Sequence, residues 1–313
     1  MSIYDRTTFE PGEVGIIEGL SYETYRAAPG IAGSDLETLL DSPAKFKLGI
    51  RTEETEEMRF GTLFHSLVLT GKADFYVKPE TYLSEDGPKK WNGNAGACKK
   101  WVADHQDKPI LPAFGSHSAA MLETMAMKVR AHPVAAQLLA RLRPEVSVFA
   151  RHEEDGLLLK GRLDGLIRAE RPGGPNIVVE VKTTRDSSTE AFSREIWKRG
   201  YHKKAQWYQY LLHQMRLSPV EHWYIAVENC DQARVNVRRL ADRAMAKAEF
   251  DNDDALNLYR KCRRADHWPE FIDSPFPGDT AEVQVIDLPE FIYGDDDSEI
   301  KGLTEPEEEE VKA

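Results

Sequence analysis

One short stretch limits what this chain can fold into more than any other. Residues 176–184 read NIVVEVKTT, and a run rich in β-branched residues is typical of a buried strand. Strand side chains alternate between two faces, so Glu180 and Lys182 share one face while Val179 and Val181 share the other. Because a buried charge is costly without a partner, the stretch predicts a strand whose charged face meets compensating groups.

A second predicted strand brings another carboxylate. Residues 157–169 read LLLKGRLDGLIRA, and pairing with residues 176–184 would place Asp164 near Glu180 and Lys182. A divalent cation between the two carboxylates would balance their charge, and oxygen ligands suit Mg²⁺ or Mn²⁺. A metal-bound water can attack phosphorus, and Lys182 could orient that water or neutralise the transition state. The spacing alone also fits a solvated strand face with a cross-strand ion pair.

The order of the predicted elements indicates the fold class. Apolar residues at helical spacing and capping signals predict helices in the first half of the chain, one beginning at Ser34, one at 60–70 and one at 116–143, broken near Pro133. Residues 79–97, rich in Pro, Gly, Asn and Ser, predict a loop. The second half predicts strands at 145–151, 157–169 and 176–184, helices at 189–198 and 201–216, strands at 222–229 and 235–240, and a helix at 241–264. This order predicts an α/β domain with a central mixed sheet flanked by helices and a helical N-terminal portion.

Net charge does not exclude nucleic acid as a partner. The formal charge is −12, but residues 294–313 supply −7 of it through nine acids and two lysines, and such a run predicts a disordered tail. Residues 182–204 have a local charge of +4, from seven basic and three acidic residues. The body of the chain is therefore mildly acidic and carries a basic band.

The cellular setting is predicted from what the sequence lacks. The cysteines are odd in number and widely spaced, which favours neither disulfides nor a cysteine-rich metal cluster; they are Cys98, Cys230 and Cys262. No apolar stretch is long enough to span a membrane, and the N-terminus lacks the basic start and apolar core of a signal peptide. These features predict a cytoplasmic protein with no membrane partner.

Several segments together resemble one family. Asp164 in Gly-Arg-Leu-Asp, followed by Glu180-Val-Lys182, is similar to the PD-(D/E)XK nuclease motif. The segments that resemble, in the same order, the exonuclease VIII (RecE-like) C-terminal nuclease domain are YETYRAAPGIAGSDLETLLDSPAKFK, FGTLFHSLVL, EVSVFAR, VEVKTTRDSSTEAFSREIWKRGYHKKAQWYQYLL and HWPEF. The resemblance implies a restriction-endonuclease-like core over residues 18–293, between an N-terminal arm at 1–17 and the acidic tail at 294–313.

The resemblance also implies roles for further residues. His65, in Gly-Thr-Leu-Phe-His, matches a helix-borne histidine that helps to bind metal, and the main-chain carbonyl of Val181 matches another ligand position. Gln206 and Tyr210 match a Gln-x-x-x-Tyr element that would steady the lysine, the water or a phosphate. Glu145 matches an acidic residue before the sheet, although a salt-bridged strand start explains it equally well. A histidine at the edge of a core and a core tyrosine are the alternatives for His65 and Tyr210.

The basic band adds a predicted DNA contact. Its side chains and one arginine of the preceding strand could bind the phosphate backbone, a contact independent of base sequence. The predicted contacts are Arg162, Arg185, Lys198, Arg199, His202, Lys203 and Lys204. A solvated helix end is the alternative.

The activity that the resemblance implies is a Mg²⁺- or Mn²⁺-dependent exonuclease that hydrolyses the phosphodiester bonds of linear double-stranded DNA, in recombination or end resection. Relatives form rings, so the resemblance also implies a homo-oligomeric ring, and a single-strand annealing protein is a candidate partner. The alternatives are an endonuclease or single-strand nuclease of the same fold, or a non-catalytic module that binds DNA ends.

Overall fold

A seven-stranded sheet lies at the centre of the structure, a computed structural model that describes residues 5–6, 8–50 and 53–270. The strands are β1 (Asp5–Arg6), β2 (Gly15–Ile17), β3 (Tyr76–Val77), β4 (Thr81–Ser84), β5 (Gly87–Lys90), β6 (Ile110–Leu111), β7 (Arg143–Arg151), β8 (Leu158–Ile167), β9 (Asn176–Thr184), β10 (Val220–Glu228) and β11 (Val235–Arg239). The central sheet has the order β1-β2-β7-β8-β9-β10-β11, while β3 pairs with β6 and β4 with β5.

Helices cover both faces of this sheet. They are α1 (Tyr22–Ala27), α2 (Gly33–Asp41), α3 (Pro43–Leu48), α4 (Glu56–Thr70), α5 (Gly96–Asp104), α6 (Ala119–Ala131), α7 (Pro133–Arg141), α8 (Thr189–Lys198), α9 (Tyr201–Gln214) and α10 (Asp242–Ala265). The strands β7, β8 and β9 are antiparallel neighbours, and α8 and α9 then cross over to β10, which runs parallel to β9. The predicted α/β class, with a mixed sheet flanked by helices, is confirmed.

The alternation of β9 divides the apolar core into two layers. Val179 and Val181 belong to the layer that includes Phe64 of α4 and residues of α6 and α7. Val178 belongs to the other layer, with Trp207 of α9 and residues of α10. Glu180 follows Val178 at a two-residue step and therefore faces α9.

The strands β8 and β9 separate partway along their length. Their pairing consists of Gly165 with Val179 and the two pairs that follow towards Ile167 and Ile177. One step before this ladder, Asp164 and Glu180 are no longer paired. From there β8 continues beside β7 and β9 beside β10. The result is a fork in the sheet, and the residues of the nuclease-like motif lie at it.

A close approach brings α9 onto β8 beside the fork. A Cβ atom added to Gly161 would lie 2.6 Å from Leu211 Cδ1 and 3.0 Å from Tyr208 Cδ1. A side chain at this position would therefore push the helix away from the sheet. Gly200, the N-cap immediately before α9, has a φ of +62°, a conformation that L side chains rarely adopt. The two glycines fix where α9 starts and how close it lies to the site.

Two basic side chains of β8 hold the N-terminal segment against the sheet. Lys160 is buried and its Nζ donates to the carbonyls at the end of α1, at 2.5 Å for Ala28 and 3.2 Å for Arg26. Arg162 donates to the carbonyl of Leu20 at 2.6 Å. An ammonium near helix C-terminal carbonyls is electrostatically favourable. Both cations are therefore used inside the fold.

Several boundaries differ from the sequence prediction, by a few residues in most elements. Residues 79–97 contain the β4–β5 hairpin and the start of α5 rather than a continuous loop, because the turn at Glu85–Asp86 lets short polar strands pair. The helix predicted to begin at Ser34 begins at Gly33, and the carboxylate of Asp35 caps the N–H of Ala32 at 2.8 Å. The helix predicted at 201–216 ends at Gln214.

The residues up to Glu270 form one compact unit. The predicted domain end at 293 and the acidic tail at 294–313 lie outside the described residues. Within the described ranges, no helix is long and apolar enough to cross a membrane.

Candidate active site

Asp164 fills the gap that opens between β8 and β9. Its Oδ2 accepts a hydrogen bond from the main-chain N–H of Val181 at 3.1 Å, which replaces the lost ladder contact. The same oxygen lies 3.4 Å from Nδ1 of His65, which α4 presents to the fork. The Asp164 side chain is 14% exposed and the His65 side chain is 28% exposed. The structure therefore brings together two of the predicted metal ligands where solvent reaches them.

Glu180 is fully buried and surrounded by cations. Its Oε1 lies 2.8 Å from Nζ of Lys204, and its Oε2 lies 3.4 Å from Nζ of Lys182 and 3.5 Å from Nε2 of His222. Both oxygens are buried, and these contacts are ion pairs that lack the geometry of a hydrogen bond. The charged strand face predicted from the sequence is thus compensated by two ammonium groups, from β9 and from α9, with an imidazole from β10.

Aromatic rings form the walls around the two ammonium groups. Nζ of Lys182 lies 5.0 Å from the ring centroid of Tyr201, and Nζ of Lys204 lies 5.4 Å from that of Tyr208. The Tyr208 hydroxyl donates to the carbonyl of Arg162 at 2.6 Å. A ring face attracts a cation and excludes water on that side. Both lysines are thereby held near Glu180.

Burial and charge act in opposite directions on Glu180. Burial alone would raise the pKa of its carboxyl, but the ammonium groups of Lys182 and Lys204 outweigh burial and hold that pKa well below its usual range. Burial likewise opposes the charge of Lys204, yet the Glu180 carboxylate raises the pKa of that ammonium well above its ordinary value. Glu180 and Lys204 are therefore both ionised at neutral pH.

Burial also sets the charge state of His65. It lowers the pKa of the imidazole, and the nearby Lys182 and Lys204 lower that pKa further, against the opposing charges of Asp164 and Glu180. A neutral imidazole is the form that can ligate a metal ion.

The structure places Gln206 and Tyr210 away from this cluster, and their predicted role stays a prediction. Gln206 is buried against α10, where its Oε1 accepts from Nδ2 of Asn252 at 2.6 Å. Tyr210 is half-buried and lies near His152, with ring centroids 6.2 Å apart. The face of α9 that meets Glu180 carries Lys204 and Tyr208, which have the same i, i+4 spacing two residues earlier.

The predicted DNA contacts divide into three groups. Arg185, Lys198 and Arg199 are exposed, and Lys203 is half-buried. Lys204 is committed to Glu180 at 2.8 Å. Arg162 and His202 use polar atoms internally: Arg162 donates to Leu20, Ser147 and Glu145, and Nδ1 of the buried His202 lies 3.2 Å from the carbonyl oxygen of Ile196.

Glu145 lies opposite Asp164, on β7. The pairing of β7 with β8 includes Pro144 with Gly165 and Val146 with Leu163 but omits the position between them, where Glu145 has a φ of +52°. Its carboxylate accepts from the Arg162 guanidinium at 3.0 Å, and its side chain is 44% exposed. The sequence left two explanations open for Glu145. This geometry matches one of them, a strand start with a salt bridge.

The donor atoms suit a divalent cation in their chemistry, although they are not gathered around one point. In the part of the chain that the structure describes, no three His, Cys, Asp or Glu side chains are arranged to hold a metal ion together. His65 and Asp164 are in contact, and Glu180 offers two buried oxygens without hydrogen bonds. Carboxylate oxygens of this kind are ligands that Mg²⁺ or Mn²⁺ prefers. The set fits such an ion once Glu180 exchanges a cationic partner.

The forked sheet, the carboxylate at the fork and the Glu-x-Lys strand beside it define the class as a PD-(D/E)XK, restriction-endonuclease-like fold. The chain belongs to the family described as a PDDEXK-like domain of unknown function (DUF3799), whose model matches residues 34–273. A comparison with curated protein sequences found no match.

A comparison with solved structures found similar proteins at low sequence identity. One is the crystal structure of a candidate exonuclease from Eubacterium rectale, with 10% identity and a TM-score of 0.53, covering 86% of this chain and 95% of that one. Another is a phage-related exonuclease from Haemophilus somnus 129PT, with 11% identity and a TM-score of 0.30, covering 76% of this chain and 96% of that one. The first likeness supports the fold, and neither one assigns an activity to this chain.

Sequence reasoning missed three members of the cluster. Tyr208 and His222 were not predicted as site residues. Lys204 was predicted to contact DNA, but in the structure it pairs with Glu180. The signal for Lys204 and Tyr208 was present, because the buried Trp207 and Leu211 fix the phase of α9. His222 had no local signal, since its place depends on the pairing of β9 with β10, which sets Tyr224 opposite Glu180.

Proposed function

We propose that this chain is a metal-dependent deoxyribonuclease that shortens linear double-stranded DNA from its ends. The observation that carries the proposal is a buried, ionised Glu180 with two lysines, close enough to His65 and Asp164 at the fork to interact with them electrostatically. A surface ion pair needs no burial and no excess of positive charge. An acid held ionised in a fully buried position is typical of a functional site.

The proposed roles follow from the contacts of each residue. Asp164, Glu180 and His65 would hold the cation, with the main-chain carbonyl of Val181 as a further ligand. A bound Mg²⁺ or Mn²⁺ supplies an acidified water and stabilises charge on the phosphate. Lys182, whose ammonium borders Glu180 and the ring of Tyr201, would hold the attacking water or offset the developing negative charge.

The exposed basic residues support DNA as the substrate. Arg185 follows β9, Lys198 ends α8, and Arg199 lies between α8 and the helix that carries Lys204. Cations on a surface beside the fork would attract the phosphate backbone. The proposal that hydrolysis starts at DNA ends rests on the resemblance to RecE-like nucleases and on the exonuclease description of the Eubacterium rectale protein.

The test compares two DNA substrates of identical sequence. Linear duplex labelled separately at its 5′ and 3′ ends, and the same DNA as a covalently closed circle, are incubated with the protein and Mg²⁺ or with a chelator. We expect loss of label from the linear duplex alone, and no loss when the chelator is present. Cleavage of the circle would identify an endonuclease. Binding of linear duplex without hydrolysis, with either Mg²⁺ or Mn²⁺, would identify a non-catalytic end-binding module.

A further inference from the structure

We propose that Lys204 is the counter-ion that Glu180 exchanges for the divalent cation, so that Lys204 and the cation compete for one carboxylate. This inference rests on the proposed function, because it takes Glu180 to be a metal ligand. It assigns to Lys204 a positioning role that is distinct from a contact with DNA.

The contacts of Glu180 leave no room for both cations. Nζ of Lys204 is 2.8 Å from Oε1, the shortest of the three contacts to this carboxylate. A Mg²⁺ ion binds oxygen at roughly 2.0–2.1 Å. An ammonium that remained at Oε1 would place two positive centres within a few ångströms of each other in a site of low dielectric. Metal binding at Oε1 therefore requires Lys204 to leave.

Of the three basic side chains in contact with Glu180, Lys204 is the one that can leave. Its side chain is 36% exposed, against 10% for Lys182 and 1% for His222. Lys182 projects from the same strand as Glu180, and His222 is enclosed within the sheet layer beside Tyr224. Lys204 has a flexible stem on a helix and a path to solvent, so its release costs less than that of either neighbour.

The same exchange explains the arrangement of the other ligands. Nδ1 of His65 lies 3.4 Å from Oδ2 of Asp164. Among the described residues, however, no three potential metal ligands are arranged around one point. Glu180 is the missing member, because its oxygens are engaged by ammonium groups. A fully buried carboxylate without a partner is strongly destabilising. Lys204 therefore stabilises the metal-free fold and weakens metal binding by the same contact.

The experiment measures Mn²⁺ binding at pH 8 without DNA, by the electron paramagnetic resonance signal of free Mn²⁺. The proteins compared are the wild type, Lys204→Gln and the matched control Lys203→Gln, which removes a neighbouring positive charge that makes no ion pair with Glu180. We expect the Kd for Mn²⁺ to fall about tenfold or more in Lys204→Gln, which corresponds to about 1.4 kcal/mol, and to change less than twofold in Lys203→Gln.

Thermal unfolding of the same proteins supplies a second readout. Without metal, Lys204→Gln should melt at a lower temperature than Lys203→Gln. Saturating Mn²⁺ should raise its melting temperature by more than it raises that of the wild type, since the ion replaces the missing charge.

The outcomes separate the two proposals. Absence of Mn²⁺ binding by every protein, the wild type included, would overturn the proposed metal-dependent function and this inference with it. Binding by the wild type with an equal or weaker affinity in Lys204→Gln would contradict the exchange and leave the nuclease proposal standing.

A measurement on the wild type covers the case in which Lys204→Gln does not fold. Brief acetylation of lysines, followed by mass spectrometry, is carried out with and without Mn²⁺. The modification rate of Lys204 should rise several-fold when Mn²⁺ is bound, while that of Lys203 stays constant. An unchanged or slower rate at Lys204 would contradict its release.

Discussion

The carboxylate of Asp164 accepts a hydrogen bond from the main-chain N–H of Val181 at 3.1 Å, across the gap where β8 and β9 part. One side chain thus closes the backbone of a forked sheet and offers its remaining lone pairs to the fork. Its structural and its chemical role can be separated, because an amide oxygen can accept the same hydrogen bond without carrying a charge.

Two substitutions at Asp164 should therefore separate its contribution to stability from its contribution to activity. Asp164→Asn keeps an acceptor for Val181 and should lose nuclease activity while its free energy of unfolding changes little. Asp164→Ala leaves the buried N–H without a partner and should lose about 1–3 kcal/mol as well. Urea denaturation and hydrolysis of linear duplex, measured on both variants, test this. Equal stability of the two variants would contradict the role of Asp164 in closing the gap.

Tyr208 and Tyr210 are two residues apart on α9 and therefore point about 200° apart around the helix, so the two tyrosines can be compared. Tyr208→Phe removes the hydroxyl that donates to the Arg162 carbonyl at 2.6 Å and should cost about 1 kcal/mol. It should also reduce activity, because the ring borders Lys204. Tyr210→Phe, on the α10 side of the helix, should have the smaller effect on both quantities. Steady-state hydrolysis and thermal unfolding of the pair check this, and a larger loss of activity in Tyr210→Phe would restore the assignment made from the sequence.

Acid stability should depend on Glu228, a buried carboxylate at the end of β10. Burial alone would raise its pKa, but hydrogen bonds from Arg234 and Ser187 outweigh burial and lower that pKa below 4.5. A depressed pKa in the folded state contributes stability above the pKa of the unfolded chain, and this contribution is lost as pH falls through the folded value. The wild type should therefore exceed Glu228→Gln in free energy of unfolding at pH 7, and the difference should shrink by pH 3.5.

The control for this pH dependence is Glu190→Gln, which removes an exposed carboxylate from a surface pair with Arg194. Exposed pairs contribute little to stability, so this variant should follow the wild type at both pH values. Urea denaturation at pH 7 and pH 3.5 measures all three proteins. A constant difference between the wild type and Glu228→Gln across this range would contradict the assignment.

Local patterns predicted much of the fold. The strand at 176–184 and the helix at 189–198 have the bounds read from the sequence, because β-branched alternation and a serine N-cap act over short distances. The helices at 119–131 and 133–141 were likewise indicated by the break at Pro133. Asp164 and the Glu180–Lys182 pair were predicted to lie on neighbouring strands, whereas the fork between those strands was not predicted.

What was missed depends on contacts between distant segments. Gln206 and Tyr210 were chosen from the resemblance, whereas the face of α9 that meets β8 carries Tyr208 and Leu211, which lie close to Gly161. Arg162 was predicted to contact DNA, but in the folded chain its guanidinium donates hydrogen bonds to the carbonyl of Leu20 and the carboxylate of Glu145. The ring assembly and the annealing-protein partner stay predictions from the resemblance.

The central claim is that Lys182 and the carboxylates beside it hydrolyse DNA, and one measurement addresses it most directly. Release of nucleotides from linear duplex with Mg²⁺ is followed for the wild type, for Lys182→Met and for Lys45→Met, which alters an exposed lysine paired with Asp41. We expect the wild type and Lys45→Met to degrade the duplex and Lys182→Met to be slower by a factor on the order of 10²–10³. Equal rates in Lys182→Met and the wild type would contradict the account.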